Sequence, residues 1–223
     1  MPKFSVIIPT LNEAGNIHAA ISSLTHSYAE AEIIVTDGGS QDGTPGLAAE
    51  LGSRVVHSGR GRGTQCNAGA AVCTGDILVF LHADVRLPDN AFDVLEKGFR
   101  DRDVEIGTFK MRFDFDHWIL RFYARFTRID SLFTNYGDQC IVVRRTFFES
   151  IGGFPDWPIC EDVGFLRVAR HRAKVRTFPA TVVASARIFQ RIGLIRYMLR
   201  CAFIMFKYLL GVAPERLYTQ YYR

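Results

Sequence analysis

The run Gly75-Asp76-Ile77-Leu78-Val79-Phe80-Leu81-His82-Ala83-Asp84-Val85-Arg86-Leu87-Pro88 constrains this chain more than any other stretch, because five consecutive apolar residues end abruptly in polar ones. Ile77 to Leu81 is too short for a typical helix and is bracketed by Gly75 and Pro88. It suits a strand buried on both faces, the habit of parallel sheets. Open parallel sheets bind ligands beyond the carboxyl ends of their strands, which is where His82 and Asp84 fall. Two residues apart on an extended chain, these side chains point the same way. An imidazole and a carboxylate so placed can hold a divalent cation against a phosphorylated ligand. The alternative makes Asp84 a turn residue ahead of Pro88.

The surrounding chain supplies the rest of such a sheet. Phe4 to Pro9 is β-rich, and Asn12-Glu13 then open a helix with Ile17, Ala20, Ile21 and Leu24 at helical spacing. Ala31 to Thr36 predicts a second strand, which runs through the turn-rich Asp37-Gly38-Gly39-Ser40-Gln41-Asp42-Gly43-Thr44 into a helix around Leu47 to Leu51. Arg54 to His57 is a short third strand, and a helix follows from Thr64 to Cys73. The apolar run comes fourth. Strands alternating with helices in this way indicate βαβ units, hence an α/β fold with a mixed, mostly parallel central sheet and helices on both faces.

Past Pro88 the pattern predicts a helix over Ala91 to Phe99 and a half-exposed strand over Val104 to Phe115. His117 to Ile129 reads as a helix with Arg121, Arg125 and Arg128 on one face and Trp118, Phe122 and Phe126 elsewhere, either a solvated face or an anion-facing wall. Tyr136-Gly137-Asp138-Gln139 leads into a strand over Cys140 to Val143, and Glu161-Asp162 open a helix reaching about Arg172. Acids in a first helical turn also serve as plain caps and dipole partners.

Bulk properties narrow the function. The 223 residues, 48% of them hydrophobic, can bury a large core, and no linker or repeat divides them, so one domain is expected. A net charge of +4 suits anionic ligands or a membrane surface but does not call for nucleic acid. The five cysteines, Cys66, Cys73, Cys140, Cys160 and Cys201, form no C-x-x-C pair and suggest reduced thiols in a cytoplasmic protein. A single lysine before the short apolar run at Phe4 does not make a secretory leader, so the chain is expected to start within the fold. Gly59-Arg60-Gly61-Arg62-Gly63 fails G-x-G-x-x-G in both registers, and there is no Walker A motif. Its amides, with Arg60 or Arg62, instead suit phosphates at a helix start.

Six fragments, in order, carry a resemblance: Val6-Ile7-Ile8-Pro9-Thr10-Leu11-Asn12-Glu13, Thr36 to Thr44, Gly61 through Asn67-Ala68-Gly69, His82-Ala83-Asp84, Gly152-Gly153-Phe154 and Glu161-Asp162. With them the chain resembles glycosyltransferase family 2, the inverting nucleotide-sugar transferases of the GT-A fold. Its compact length resembles a small single-domain bacterial subgroup linked by gene neighbourhood to arsenosugar biosynthesis. The resemblance implies a nucleotide-sugar half over 1–88, an acceptor and catalytic half over 89–190, and a C-terminal amphipathic helix and tail over 191–223. Pro9, Thr10, Asn12, Glu13, Asp37 and Gly38 would line the nucleoside pocket, Asp37 accepting from the base. Arg62 and Asn67 would lie near base or phosphates, and His82, Ala83 and Asp84 would meet the diphosphate. Asp84, with His82, would hold Mn²⁺ or Mg²⁺. Asp162 would be the catalytic base beside Glu161, and Gly137, Asp138, Gln139 and Gly153 would sit near sugar or acceptor. The expected donor is a nucleotide-diphosphate sugar, first of all a UDP-sugar, and the acceptor a small or lipid-linked molecule.

There are two departures from the family pattern. The usual D-x-D is His82-Ala83-Asp84, which loses one hard oxygen ligand. The Q-x-x-R-W signature of processive members is broken at Gln190-Arg191-Ile192-Gly193, so single-sugar transfer is expected. A non-catalytic nucleotide-sugar or polyanion-binding module on the same fold is the competing reading, and a glycoside hydrolase ranks third. Finally, Leu194 to Val212 is apolar apart from a stripe of Arg196, Arg200 and Lys207. It reads either as a core or dimer helix exposing only that stripe, which is preferred, or as an interfacial helix on the inner membrane face with Tyr197 and Tyr208 as interfacial aromatics. Three central charges argue against spanning.

Overall fold

The computed structural model describes residues 2–126 and 137–221. Arg128, Ile129 and Tyr136 lie outside the described residues. Strand β1 (Phe4–Thr10) is followed by α1 (Ala14–Ser27), β2 (Glu32–Asp37), α2 (Thr44–Glu50), β3 (Arg54–His57), α3 (Arg62–Val72) and β4 (Ile77–Phe80). Then come β5 (Val85–Arg86), α4 (Ala91–Phe99), β6 (Ile106–Phe113), α5 (Trp118–Phe126), a 3-10 turn at Gly137–Gln139, β7 (Ile141–Arg144), α6 (Arg145–Ser150) and α7 (Glu161–Arg170). Strand β8 (Val175–Ala184) and helices α8 (Arg187–Ile192), α9 (Leu194–Leu209) and α10 (Pro214–Tyr221) complete the order.

The strands form one sheet in the order β3-β2-β1-β4-β7-β6-β8-β5. Antiparallel pairing enters at β4–β7, β7–β6 and β8–β5, and the other four pairs are parallel. The central strands are covered on both sides, as the apolar run predicts. Ile77, Val79 and Leu81 join Phe4, Val6 and Ile8 in a core capped by α1 and α4. Leu78, Phe80 and Ile7 face the other way, into a core shared with α3, α6 and α7. Each such large side chain contributes about 1.5–3 kcal/mol by leaving water. With both faces filled, the polar residues concentrate at one edge, where β1, β2 and β4 end and the turn into β7 begins.

Four elements depart from expectation. Strands β5 and β8 are not evident in the sequence, because Pro88 follows the one closely and Pro179 interrupts the other. The sheet admits Pro179 at a register shift: Phe109 pairs with Phe178, yet Lys110 pairs with Thr181. Helix α5 buries Leu120 and leaves Trp118, Phe122 and Phe126 exposed beside its arginines. Helix α9 does pack on protein, setting Ile204 and Tyr208 against Ile159, Cys160, Val163 and Leu217. It does not expose only a basic stripe, since Ile195, Leu199, Phe203, Phe206 and Leu210 also face outward. Tyr208 is buried edge-on against Trp157, so it does not act as an interfacial aromatic, while Tyr197 is half-buried against Phe189. Among the described residues no helix is long and apolar enough to cross a membrane.

Candidate active site

At the sheet edge, two loops are knotted together by short polar side chains. Asn12, with φ of 57°, donates its backbone N–H to Ser40 Oγ (2.8 Å) and accepts from the Gln41 N–H through Oδ1 (2.9 Å). Asp37 is buried, and its Oδ2 accepts from the Gly39 and Ser40 amides at 2.9 Å, while Oδ1 lies 3.4 Å from the Thr10 hydroxyl. Burial pushes this carboxyl up, but the bonds from Ser40, Gly39 and Thr10 outweigh it and hold the pKa below the usual range. Pro9 is buried within β1, and Gly38 donates to Thr10 O at 3.0 Å.

Beneath both loops lies Gln65, a residue that sequence reasoning missed. Its Nε2 donates to the carbonyls of Thr10 and Thr36, 2.7 Å each, and so staples the ends of β1 and β2. A Cβ on Gly38 would stand 3.2 Å from its amide. The available signal was a lone amide one turn before Gly69, which packs against Ile7 and Thr36.

The second wall comes from α3, the 3-10 turn and α7. Arg62 opens α3 and its Nε meets Glu161 Oε1 at 2.7 Å. Glu161 is almost fully buried, with Arg62 as its ion-pair partner. Burial raises its pKa, Arg62 counters and Asp162 adds to the rise. Asp162 Oδ2 accepts from the Gly137 N–H at 2.7 Å. The His82 ring, placed by the turn after β4, meets Asp138 Oδ1 through Nδ1 at 3.0 Å. Burial lowers the imidazole pKa, but the bond to Asp138 more than restores it. Gly137 separates His82 from Asp162, and Gln139 is buried next to it. One small pocket is lined by Arg62, His82, Gly137, Glu161 and Asp162 together, although they lie up to a hundred residues apart in sequence.

Asn67 and Gly153 act at one remove. The Asn67 amide donates to Phe154 O (2.8 Å) and accepts from Phe154 N–H (3.0 Å), clasping the Gly152-Gly153 turn to α3. A Cβ on Gly153 would fall 2.7 Å from Asn67 Oδ1.

Asp84 follows the buried Ala83 and is partly buried itself. That burial raises its pKa, His82 counters, and Asp138 and Glu13 raise it further. Arg187, a second residue missed because it follows an unforeseen strand, lies 3.9 Å from Asp84 and 3.3 Å from Glu13. Among the described residues no three His, Cys, Asp or Glu side chains converge on a metal position. The crowded acids around Asp84 still suit a cation, provided a ligand's oxygens complete its shell. His82, with Nδ1 tied to a carboxylate, has the arrangement usual for a metal-bound imidazole.

Comparison with known proteins places this geometry. The model of the family described as Glycosyl transferase family 2 matches residues 5–153. The probable glycosyltransferase YdaM of Bacillus subtilis is 24% identical over 211 residues, covering 82% of this chain and 50% of that protein. The 4,4'-diaponeurosporenoate glycosyltransferase of Staphylococcus haemolyticus is 36% identical over 91 residues, 37% of this chain and 24% of its own length. The chain therefore spans half or less of these relatives. Among solved structures, S. aureus TarS 1-349 in complex with UDP-GlcNAc superposes with a TM-score of 0.65 at 19% identity, over 82% of this chain and 58% of that one. The mannosyltransferase PcManGT of Pyrobaculum calidifontis, in complex with GDP-Man and Mn²⁺, gives 0.62 at 21%, over 90% and 64%. The chain belongs to glycosyl transferase family 2 and has the GT-A glycosyltransferase fold.

Proposed function

We propose that this protein transfers a single sugar, with inversion, from a nucleotide-diphosphate sugar to an acceptor hydroxyl in the cytoplasm. Residues 1–88 would hold the donor and 89–190 the acceptor and the base, followed by a C-terminal amphipathic helix and tail over 191–223. The observation that carries the reading is Asp162: its carboxylate is fixed by Gly137 N–H beside His82 and Arg62, in the pocket at the strand ends. The acceptor oxygen bonds to the anomeric carbon as the bond from that carbon to the diphosphate breaks, and Asp162 takes the hydroxyl proton. Arg62, held by Glu161, and Arg187 offset the charge of the leaving diphosphate. Asp84, with His82, would hold a Mn²⁺ or Mg²⁺ ion, which supplies further charge neutralisation when bound. Asp37 and Thr10 would bound the nucleoside pocket, with a UDP-sugar the first donor to try. The acceptor is a small or lipid-linked molecule.

The test is Asp162→Asn. It is expected to lower turnover by about 10²–10⁴ while donor affinity and melting temperature stay near wild type. Near-normal turnover would sink the assignment, and donor binding without any turnover in the wild type would favour the non-catalytic module.

A further inference from the structure

On α9 the outward residues are not the polar ones. Taking about 100° per residue, Ile195, Leu199, Phe203, Phe206 and Leu210 fall within roughly 80° of one another, and each is more than half exposed, from 53% to 68%. Arg196, Arg200 and Lys207 occupy the strip directly alongside, and Lys207 Nζ sits 4.3 Å over the Phe203 ring. Helix α5 repeats the arrangement on a smaller scale, with Trp118, Phe122 and Phe126 interleaved with Arg121 and Arg125 on its exposed side.

The helices that carry these two ridges are linked through a file of half-buried rings. Tyr123 of α5 packs on Phe113, Phe113 on Phe189 of α8, and Phe189 on Tyr197 of α9, with ring centroids 6.1, 5.2 and 5.0 Å apart. Helices α8 and α9 are joined to the reaction cleft. The inner side of α9 buttresses Cys160 and Val163, which flank Glu161 and Asp162, and α8 supplies Arg187 to Asp84 and Glu13.

We propose that α5, α8 and α9 form a docking face for an anionic lipid bilayer, which sets the cleft at the membrane surface. Charge decides between a bilayer and a second copy. Helices α5, α8 and α9 contain no Asp or Glu, and apart from Arg187, which turns to Glu13 and Asp84 in the cleft, they carry six cations: Arg121, which pairs with Asp116, Arg125, Arg191, Arg196, Arg200 and Lys207. A two-fold interface built from this face would set cations against cations, whereas anionic headgroups complement them and acyl chains take the aromatic and aliphatic ridge.

The experiment is co-sedimentation of the full chain with phosphatidylcholine vesicles, with and without phosphatidylglycerol, at low and high salt, alongside sedimentation velocity without vesicles. Binding to the anionic vesicles is expected, weakening on neutral ones and in high salt. Leu199→Gln with Phe203→Gln should lower the bound fraction about tenfold, and Arg196→Glu alone roughly fivefold or more on anionic vesicles, with melting unchanged. No binding to either vesicle overturns the proposal, as does binding that both variants leave intact. A wild-type dimer that the double variant turns monomeric, without vesicle binding, assigns the face to a second copy and also overturns it. Turnover measured without vesicles is independent of all these outcomes, so the transferase reading is tested separately.

Discussion

Gly137 shows how much of this site is decided by the space of one methyl group. A Cβ there would lie 2.9 Å from His82 Nε2 and 3.4 Å from Asp162 Oδ2. Gly137→Ala must therefore push the imidazole off Asp138 or the turn off Asp162. The expected outcome is a loss of about 10²-fold in turnover, the usual cost of ångström-scale misplacement, with donor affinity changed far less. A full-speed Gly137→Ala enzyme would show that the two contacts do not position the reaction. Two of the family fragments contain His82 and Asp162, and the resemblance sets Gly137 near sugar or acceptor. It does not reveal that Asp138 bonds His82 or that Glu161 grips Arg62, since these partners come from segments 56 and 99 residues apart and the pairing is made only by the folded sheet edge.

Among the elements, β2 is held at both ends by carboxylates. Glu32 accepts from the Ser5 hydroxyl at 2.6 Å and the Thr74 amide at 2.7 Å, and Asp37 closes the far end. Burial pushes the Glu32 pKa up, the Ser5 and Thr74 bonds and Arg54 pull it down, and it ends below its ordinary value, as Asp37 does. A lowered carboxylate contributes stability that is present above the unfolded pKa, about 3.9–4.3, and is lost as pH falls through the folded value. Melting temperature should thus fall below about pH 4, and Glu32→Gln should melt lower at neutral pH but lose less on acidification. Parallel melting curves from neutral to acid would count against this account. Helices α1 to α5, α7 and α9 and strands β1 to β3, β6 and β7 were legible from their patterning, and β4 from composition alone; helices α6, α8 and α10 were not legible. Strand β8 was not, for Pro179 at a register shift looks the same in sequence as a strand that has ended. The outward apolar side of α9 was equally hidden, because periodicity shows that a helix has two faces without showing which one meets protein.

At the scale of the whole molecule, segments about a hundred residues apart meet at Asp84, where Arg187 of α8 reaches back to the loop after β4. Cations from both sources, Arg187 and a divalent ion, can serve the same diphosphate. Excess chelator is expected to weaken donor binding at least ~tenfold, in keeping with the several kcal/mol a Lewis-acidic cation supplies, and Asp84→Ala should reproduce the loss without adding to it. Unchanged donor affinity in chelator would leave Arg62 and Arg187 as the neutralising groups. How Arg187 comes to stand there is settled further back. Pro179 and Ala180 lie outside the register that resumes at Lys110 and Thr181. Because their number is even, Phe178, Ala180, Val182 and Ala184 all still face the same core. Arg187 thus stands downstream of a loop-out that leaves the ladder unshifted: Thr181 pairs with Lys110 just as a residue placed directly after Phe178 would, so the end of β8 keeps its faces and its place against β6.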